Sequence, residues 1–312
     1  MDDIKVQVLL STFNGERYLD EQINSILKQD GVDWHLLIRD DGSSDQTKEK
    51  LNWYYERNRG KIELIYGENI GVPASFFNLI EHSTDMYDYY AFCDQDDVWD
   101  NKKLFHAVDM LRMQAENIPL MYCSSTTMVD PNLNFLKVWP EPPKKRLTIF
   151  NSLIENIAVG CTIVLNREAM MLIKSSMPRT LKNVIMHDWW GYLCTSAFGK
   201  VIFDSKPSIL YRQHSLNVVG GQKATGFQKW KERLRRFRSG KNHYILSRQT
   251  AEFLECFGDS LKPEQKKEIE RFLSFKDKNM LTRFLYALSS PFYRQSFIDD
   301  LVYKVVYTIG KI

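Results

Sequence analysis

Residues 89–100 read YYAFCDQDDVWD, an apolar run that ends in three carboxylates within four residues, Asp94, Asp96 and Asp97. Like charges this close raise one another's pKa and cost stability unless a cation or a donor-rich ligand sits among them. A buried strand that terminates in such a knot is the pattern of an α/β protein with its ligand site at the carboxyl ends of parallel strands.

Working outward, the same strand-turn-helix unit recurs. Residues 5–10 form an apolar run, Gly15 breaks it, and Leu19, Ile23, Ile26 and Leu27 follow on one helical face. WHLLIRD (34–40) runs into DGSSDQT, where Ser44 or Asp45 can cap a helix reaching Tyr55. KIELIYG (61–67) precedes NIGVPASFFNLIEH, with Pro73 in a first helical turn. After the acidic knot, Leu104, Val108 and Leu111 mark the inner face of another helix. The spacing therefore predicts an α/β fold with a mostly parallel sheet and helices on both faces. From Pro119 the pattern loosens into short strands around MYCSSTTMVD, a Pro- and Lys-rich loop at WPEPPKKR, the strand CTIVLN, a helix carrying MHDWWGYLC, and a hairpin-like pair, KVIFD and SILYRQH. After Gly220 and Gly221 only helical patterns remain. We divide the chain into a domain 1–221, with halves 1–118 and 119–221, and a C-terminal helical domain 222–312.

Bulk composition agrees. The 312 residues, 44% hydrophobic and 26% charged, are those of a globular protein able to bury a large core. Residues 1–220 carry 23 Lys and Arg against 29 Asp and Glu, whereas residues 221–312 carry 19 against 10, so the tail is basic. Five widely spaced cysteines with no C-x-x-C pair suggest neither a zinc site nor a disulfide framework, which fits a reducing cytoplasm. The acidic start and short apolar run of MDDIKVQVLLSTF do not read as a signal peptide, and no stretch reaches the roughly 18 apolar residues that spanning needs. If a membrane matters, the protein is expected to lie on its inner face.

The turns carry the chemistry. None holds the G-x-G-x-x-G of a dinucleotide fold or the G-x-x-x-x-G-K-S/T of a P-loop, which argues against dehydrogenases and nucleotide triphosphatases. A nucleotidylyltransferase would need a Gly-rich signature with Arg and Lys after the first strand, and STFNGER does not supply it. An acidic strand end suits a divalent cation with hard oxygen ligands instead. Together, STFNGE (11–16), DDGSSD (40–45), NIG (69–71), DQDD (94–97) and HDWW (187–190) closely resemble family 2 glycosyltransferases of the GT-A fold, the Rossmann-like fold of nucleotide-diphospho-sugar transferases. The likeness is strongest to bacterial rhamnosyltransferases of surface-polysaccharide assembly and spans residues 4–220.

The resemblance implies a set of roles. Ser11, Thr12, Phe13 and Asn14, with Glu16 close by, would cradle the nucleotide base; Asp41 would face the pyrimidine, with Asp40 near it; Asn69 and Gly71 would reach the donor. The D-x-D motif maps onto Asp94, Gln95 and Asp96, with Asp94 near the ribose and also a metal candidate, and Asp96 holding the Mg²⁺ or Mn²⁺ that bridges the diphosphate. His214 would give a further metal or diphosphate contact. Asp188 would be the general base of an inverting transfer, and His187, Trp189, Trp190 and Arg212 would line the acceptor side or a flap whose hinge is Gly220 and Gly221. The family's usual Glu-Asp is His187-Asp188 here, which hints at a deoxysugar donor. The processive synthases' Gln-rich motif with Arg-Trp is absent, which points to one transfer per encounter.

The implied function is L-rhamnose transfer from dTDP-rhamnose to a glycan or polyprenyl-diphosphate-linked acceptor, with no nucleic acid partner. The rivals are a UDP-hexose or UDP-N-acetylhexosamine donor and a catalytically silent glycan-binding or scaffold protein. Plainer readings stand beside several residues: Asp41 as a turn cap, His187 and His214 as ordinary hydrogen-bonded histidines, Trp189 and Trp190 as packing residues. TGFQKWKERLRRFRSG (225–240) reads either as an interfacial helix on anionic lipid or as a packed helix with a basic face. FIDDLVYKVVYTIG (297–310) is amphipathic and would seal the domain, form a homodimer or touch lipid.

Overall fold

The computed structural model describes residues 4–115, 117–214, 235, 237, 239–240 and 243–312. The expected flap hinge at Gly220 and Gly221 lies outside them, as does the basic helix except for Arg235, Phe237, Ser239 and Gly240. The described chain forms two compact units. The first comprises residues up to Pro142 with Ile157–Met177 and Met186–Gln213; the second comprises Pro143–Asn156, Pro178–Ile185 and residues from His214 onward.

In the first unit the chain runs β1 (Lys5–Thr12), α1 (Leu19–Leu27), β2 (Asp33–Asp40), α2 (Thr47–Arg57), β3 (Ile62–Tyr66), α3 (Val72–His82), β4 (Tyr89–Cys93), β5 (Val98–Trp99), α4 (Lys103–Arg112), β6 (Leu120–Ser124), β7 (Thr126–Val129) and β8 (Phe135–Trp139). The short helix α5 (Ile149–Ser152) belongs to the second unit. The chain then returns to the first for β9 (Val164–Asn166), α6 (Arg167–Ser175), α7 (His187–Phe198), β10 (Lys200–Asp204) and β11 (Ile209–Arg212). The main sheet has seven strands in the order β10-β6-β9-β4-β1-β2-β3, parallel throughout except for β9, which is antiparallel to both neighbours. Its centre is apolar on both faces because helices cover both: Val6, Val8, Leu9 and Leu10 of β1 are all buried. Each such side chain contributes about 1.5–3 kcal/mol when removed from water.

A second sheet orders β5-β11-β7-β8. Here the structure corrects the sequence reading, because β10 and β11 do not form a hairpin. β10 joins β6 in parallel in the main sheet, while β11 pairs antiparallel with β5 and parallel with β7. The consequence is functional: β11 brings Arg212 against the turn that follows β4.

The second unit is helical: α8 (Ile245–Phe257), α9 (Pro263–Phe275), α10 (Met280–Ser289) and α11 (Phe297–Thr308) follow α5. Its centre is aromatic, with Phe253, Phe272, Tyr286, Phe292, Tyr303 and Tyr307 buried. Asn279 and Ser296 cap α10 and α11 by accepting the amides of Thr282 and Asp299. Glu252 holds the 178–185 segment through the Thr180 amide, and Tyr293 holds α5 through the Asn151 side chain. Among the described residues, no helix is long and apolar enough to cross a membrane.

Candidate active site

In the order β3-β2-β1-β4 the chain reverses direction of winding between β1 and β4, and a crevice opens at the strands' carboxyl ends at such a point. Gln95 spans it. Its side-chain oxygen accepts the Thr12 hydroxyl at 2.6 Å and the Phe13 amide at 2.8 Å, and its nitrogen donates to the Phe13 carbonyl at 3.1 Å. A Cβ on Gly15 would lie 2.5 Å from that same oxygen and 2.8 Å from Thr12 Oγ1, so a larger residue there would have to displace the clamp. The Phe13 ring remains 43% exposed beside it.

The turns after β1 and β2 are joined reciprocally. The Asn14 amide donates to Ser43 Oγ and the Ser44 amide to Asn14 Oδ1, each at 2.8 Å. The Gly15 amide donates to Thr47 Oγ1 at 2.8 Å and the Gln46 amide to Glu16 Oε2 at 2.9 Å. Ser11 and Ser75 hydroxyls meet at 2.6 Å. Asp41 is buried, with its carboxylate taken by the Ile70 and Gly71 amides at 2.9 Å and by the Arg39 guanidinium. It therefore caps the 69–71 turn, whose Gly71 has φ 82°. Asp40, fully buried, accepts the Ser43 amide at 3.0 Å and keeps an oxygen without a hydrogen-bond partner. Asn69 is exposed.

The acidic turn follows β4. Burial, then the negative charges of Asp96 and Asp188, push Asp94 up to about 7. The same two causes, burial and then the charges of Asp96 and Asp94, push Asp97 far above the carboxylate range. Asp97 accepts the Arg212 amide at 3.0 Å, and its other oxygen has no hydrogen-bond acceptor or donor from nitrogen or oxygen around it. Arg212 is 1% exposed: it donates to the carbonyls of Asp96 at 2.9 Å and Pro131 at 2.6 Å, pairs with Glu21 at 2.6 Å, and lies over the Tyr18 ring. The expectation that it lines an acceptor site or flap is corrected: it is the buried brace of the acidic turn.

Three residues at or near this turn were given no individual role by the sequence reading. Lys103, fully buried, places its ammonium 3.6 Å from the Trp99 ring centre with no hydrogen-bond partner, and burial lowers it to about 8. Its spacing to Ala107 and Leu111 on the inner face of α4 was the available signal. Asp97 and Cys161 are the others. Among the described residues, Asp94, Asp97 and Cys161 form the group whose ligand atoms all lie within 4.8 Å of one another. Asp96 is not a member of that group, and His214 falls in the second unit.

Asp188 sits in the first turn of α7, where the helix dipole favours an anion. It is partly exposed, accepts the Trp189 amide at 2.6 Å, and borders Gly160, whose added Cβ would lie 3.5 Å from its carboxylate. His187 is instead a core residue: it stacks on Phe76 at 3.7 Å, burial holds it down to about 3, and neither ring nitrogen has a hydrogen-bond partner. Trp190 is fully buried as well, so neither lines an acceptor surface, while Trp189 keeps partial exposure.

The reversed strand order, the covered parallel sheet and the acidic crevice define the GT-A class of α/β proteins. The family model described as glycosyl transferase family 2 matches residues 7–172. The chain belongs to that family. It is 30% identical over 225 residues to the dTDP-rhamnosyl transferase RfbG of Shigella flexneri, covering 68% of this chain and 73% of that one. It is 31% identical over 169 residues to the UDP-Glc:α-D-GlcNAc-diphosphoundecaprenol β-1,3-glucosyltransferase WfgD of Escherichia coli, over 54% of this chain and 62% of that protein, less than two thirds of its length. The fold is that of S. aureus TarS 1–349, whose complex with UDP-GlcNAc superposes with a TM-score of 0.60 at 16% identity over 98% of this chain and 82% of that one.

Proposed function

We propose that this glycosyltransferase moves L-rhamnose from dTDP-rhamnose, with inversion, onto a glycan or lipid-linked oligosaccharide in cell-surface polysaccharide assembly. The observation that carries the reading is that Asp188 borders Gly160, the chain neighbour of Cys161, whose thiol lies within 4.8 Å of a carboxylate oxygen of Asp94 and one of Asp97, so the helix-start carboxylate adjoins the acidic turn. A solvent-reachable carboxylate at a helix start, beside an acidic crevice at the strand ends, is what an acceptor-activating base needs. Asp188 takes the proton of the acceptor hydroxyl as its oxygen bonds to the sugar's C1 from the side opposite the nucleotide. The C1–O bond to the diphosphate breaks, dTDP departs with the electron pair, and the configuration at C1 inverts. General-base help of this kind contributes about 10²–10⁴ in rate. The exposed Phe13 ring offers a stacking face to the base.

The acidic turn suits a hard divalent cation. Asp94 and Asp96 would hold it, because Asp97 is fully enclosed with one oxygen bonded to the Arg212 amide, and burial keeps the Cys161 thiol protonated. When bound, Mg²⁺ or Mn²⁺ supplies charge compensation for the departing diphosphate. The likeness to the Shigella protein supports the rhamnosyl donor. A second reading, a UDP-hexose donor with a polyprenyl-diphosphate-linked acceptor, is supported by the likeness to the E. coli glucosyltransferase. Calorimetry with dTDP-rhamnose, UDP-glucose and UDP-GlcNAc, with and without Mn²⁺, separates them. The expected result is tightest binding of dTDP-rhamnose and weaker binding without metal. Tighter binding of either UDP-sugar refutes the donor assignment, and indifference to Mn²⁺ refutes the cation.

A further inference from the structure

In the second unit, α10 and α11 each present an apolar stripe to solvent. Leu281, Leu285 and Leu288 on α10, and Phe297, Leu301 and Val305 on α11, are each between 53% and 80% exposed. Their spacing places them on one side of each helix, opposite the buried Tyr286 of α10 and the buried Tyr303 and Tyr307 of α11. The tyrosine faces already complete the core, so the outer stripes are not needed to hold the unit together. Apolar side chains exposed along two adjoining helices mark an interaction surface.

We infer that the outer faces of α10 and α11 dock on an anionic lipid bilayer. Charge selects this occupant. Residues 143–156, 178–185 and 243–312, described parts of the second unit, carry 16 Lys and Arg against 10 Asp and Glu, so a second copy approaching by the same face would bring two positive units together, whereas an anionic surface attracts them. Lys276 and Lys278 lead into α10, and Lys304 and Lys311 flank the stripe of α11; Asp277 and Asp299 oppose them, and Asp300 pairs with Lys304 at 3.1 Å. With 10 and 12 residues, the two helices are too short to span a bilayer and suit the interface plane.

The docking does not depend on which sugar is transferred, and a test without donor or acceptor keeps its failure separate from that of the transferase reading. The full chain is floated with phosphatidylcholine vesicles, with and without phosphatidylglycerol, at low and high salt. Binding is expected only with phosphatidylglycerol, weakening as salt rises. The combined variant Leu281→Gln, Leu285→Gln, Leu301→Gln and Val305→Gln changes exposed positions, so its circular dichroism and melting should match the parent. Its partition into anionic vesicles should fall by at least about tenfold. Should that variant misfold, Lys276→Glu with Lys278→Glu is expected to weaken the same partition while leaving the apolar stripes intact. Three results would overturn the inference: no binding to anionic vesicles, equal binding to neutral ones, or parent-like partition by a folded variant. Sedimentation showing a dimer that the Gln variant dissociates would also overturn it, assigning the face to a second copy.

Discussion

Burial, and then the charges of Asp96 and Asp188, act on Asp94, and together they fix how the crevice answers to pH. Its folded pKa of about 7 lies above the ordinary 3.8, so the folded chain without metal binds more protons than the unfolded one between those values. Stability from this group is therefore present below about 3.8 and is lost as pH rises through about 7. A cation must displace the same proton. Mn²⁺ affinity is expected to climb close to tenfold per pH unit below about 7 and then level off, and to lose this slope in Asp94→Asn; isothermal titration across pH checks both. At Asp188 the expectation is different in kind. Asp188→Asn keeps the size and the helix-start amide contact but removes the proton acceptor, so kcat should fall by about 10²–10⁴ while nucleotide Kd stays within about twofold. Near-normal turnover would remove Asp188 from the base role. Residue-level polarity misled the sequence reading in one direction: Arg212 and His187 were given outward jobs, yet both are buried, Arg212 held by three guanidinium hydrogen bonds and His187 by a ring stack, whereas the packing alternative kept for Trp190 fits its burial. Lys103 was overlooked for the converse reason, since a lysine beside an acidic turn reads as solvated.

At the scale of elements, the strand-turn-helix units were legible because each signal is local: an apolar run, a breaking glycine, a 3.6-residue stripe. β1 to β4 and their helices follow those signals closely. What failed was pairing. The four residues between β10 and β11 look like a hairpin connection, but partner choice is set by distant strands, β6 for one and β5 with β7 for the other. β5 and β8 were missed because a two-residue strand and one beside a Pro-rich loop leave no periodic trace. The Gln95 clamp is testable at this scale. Gly15→Ala would push a methyl to 2.5 Å from the Gln95 carboxamide, opening the link between the first and fourth strand ends. It should weaken nucleotide binding about tenfold or more with little change in the Mn²⁺ affinity of the free protein, and Gln95→Ala in the same background should restore part of the loss. Equal affinities for parent and Gly15→Ala would show that the clamp does not shape the donor site.

For the whole molecule, ligand binding is a stability measurement. A nucleotide sugar held only by the folded state should raise unfolding free energy by about 2.7 kcal/mol at a hundredfold excess over Kd, visible as a rise in Tm. Mn²⁺ should enlarge that rise in the parent and leave it unchanged in Asp96→Ala; a metal-dependent rise surviving in that variant would take Asp96 out of cation binding. The joined turns after β1 and β2 set a practical limit at the same scale. Asn14, Gly15 and Glu16 complete the hydrogen bonding of residues 43–47 and are completed by them. Re-engineering sugar-nucleotide preference by transplanting either loop from another enzyme would strand these polar contacts, so the two must be exchanged as one cassette, and a library that varies them independently will consist mostly of mismatched halves.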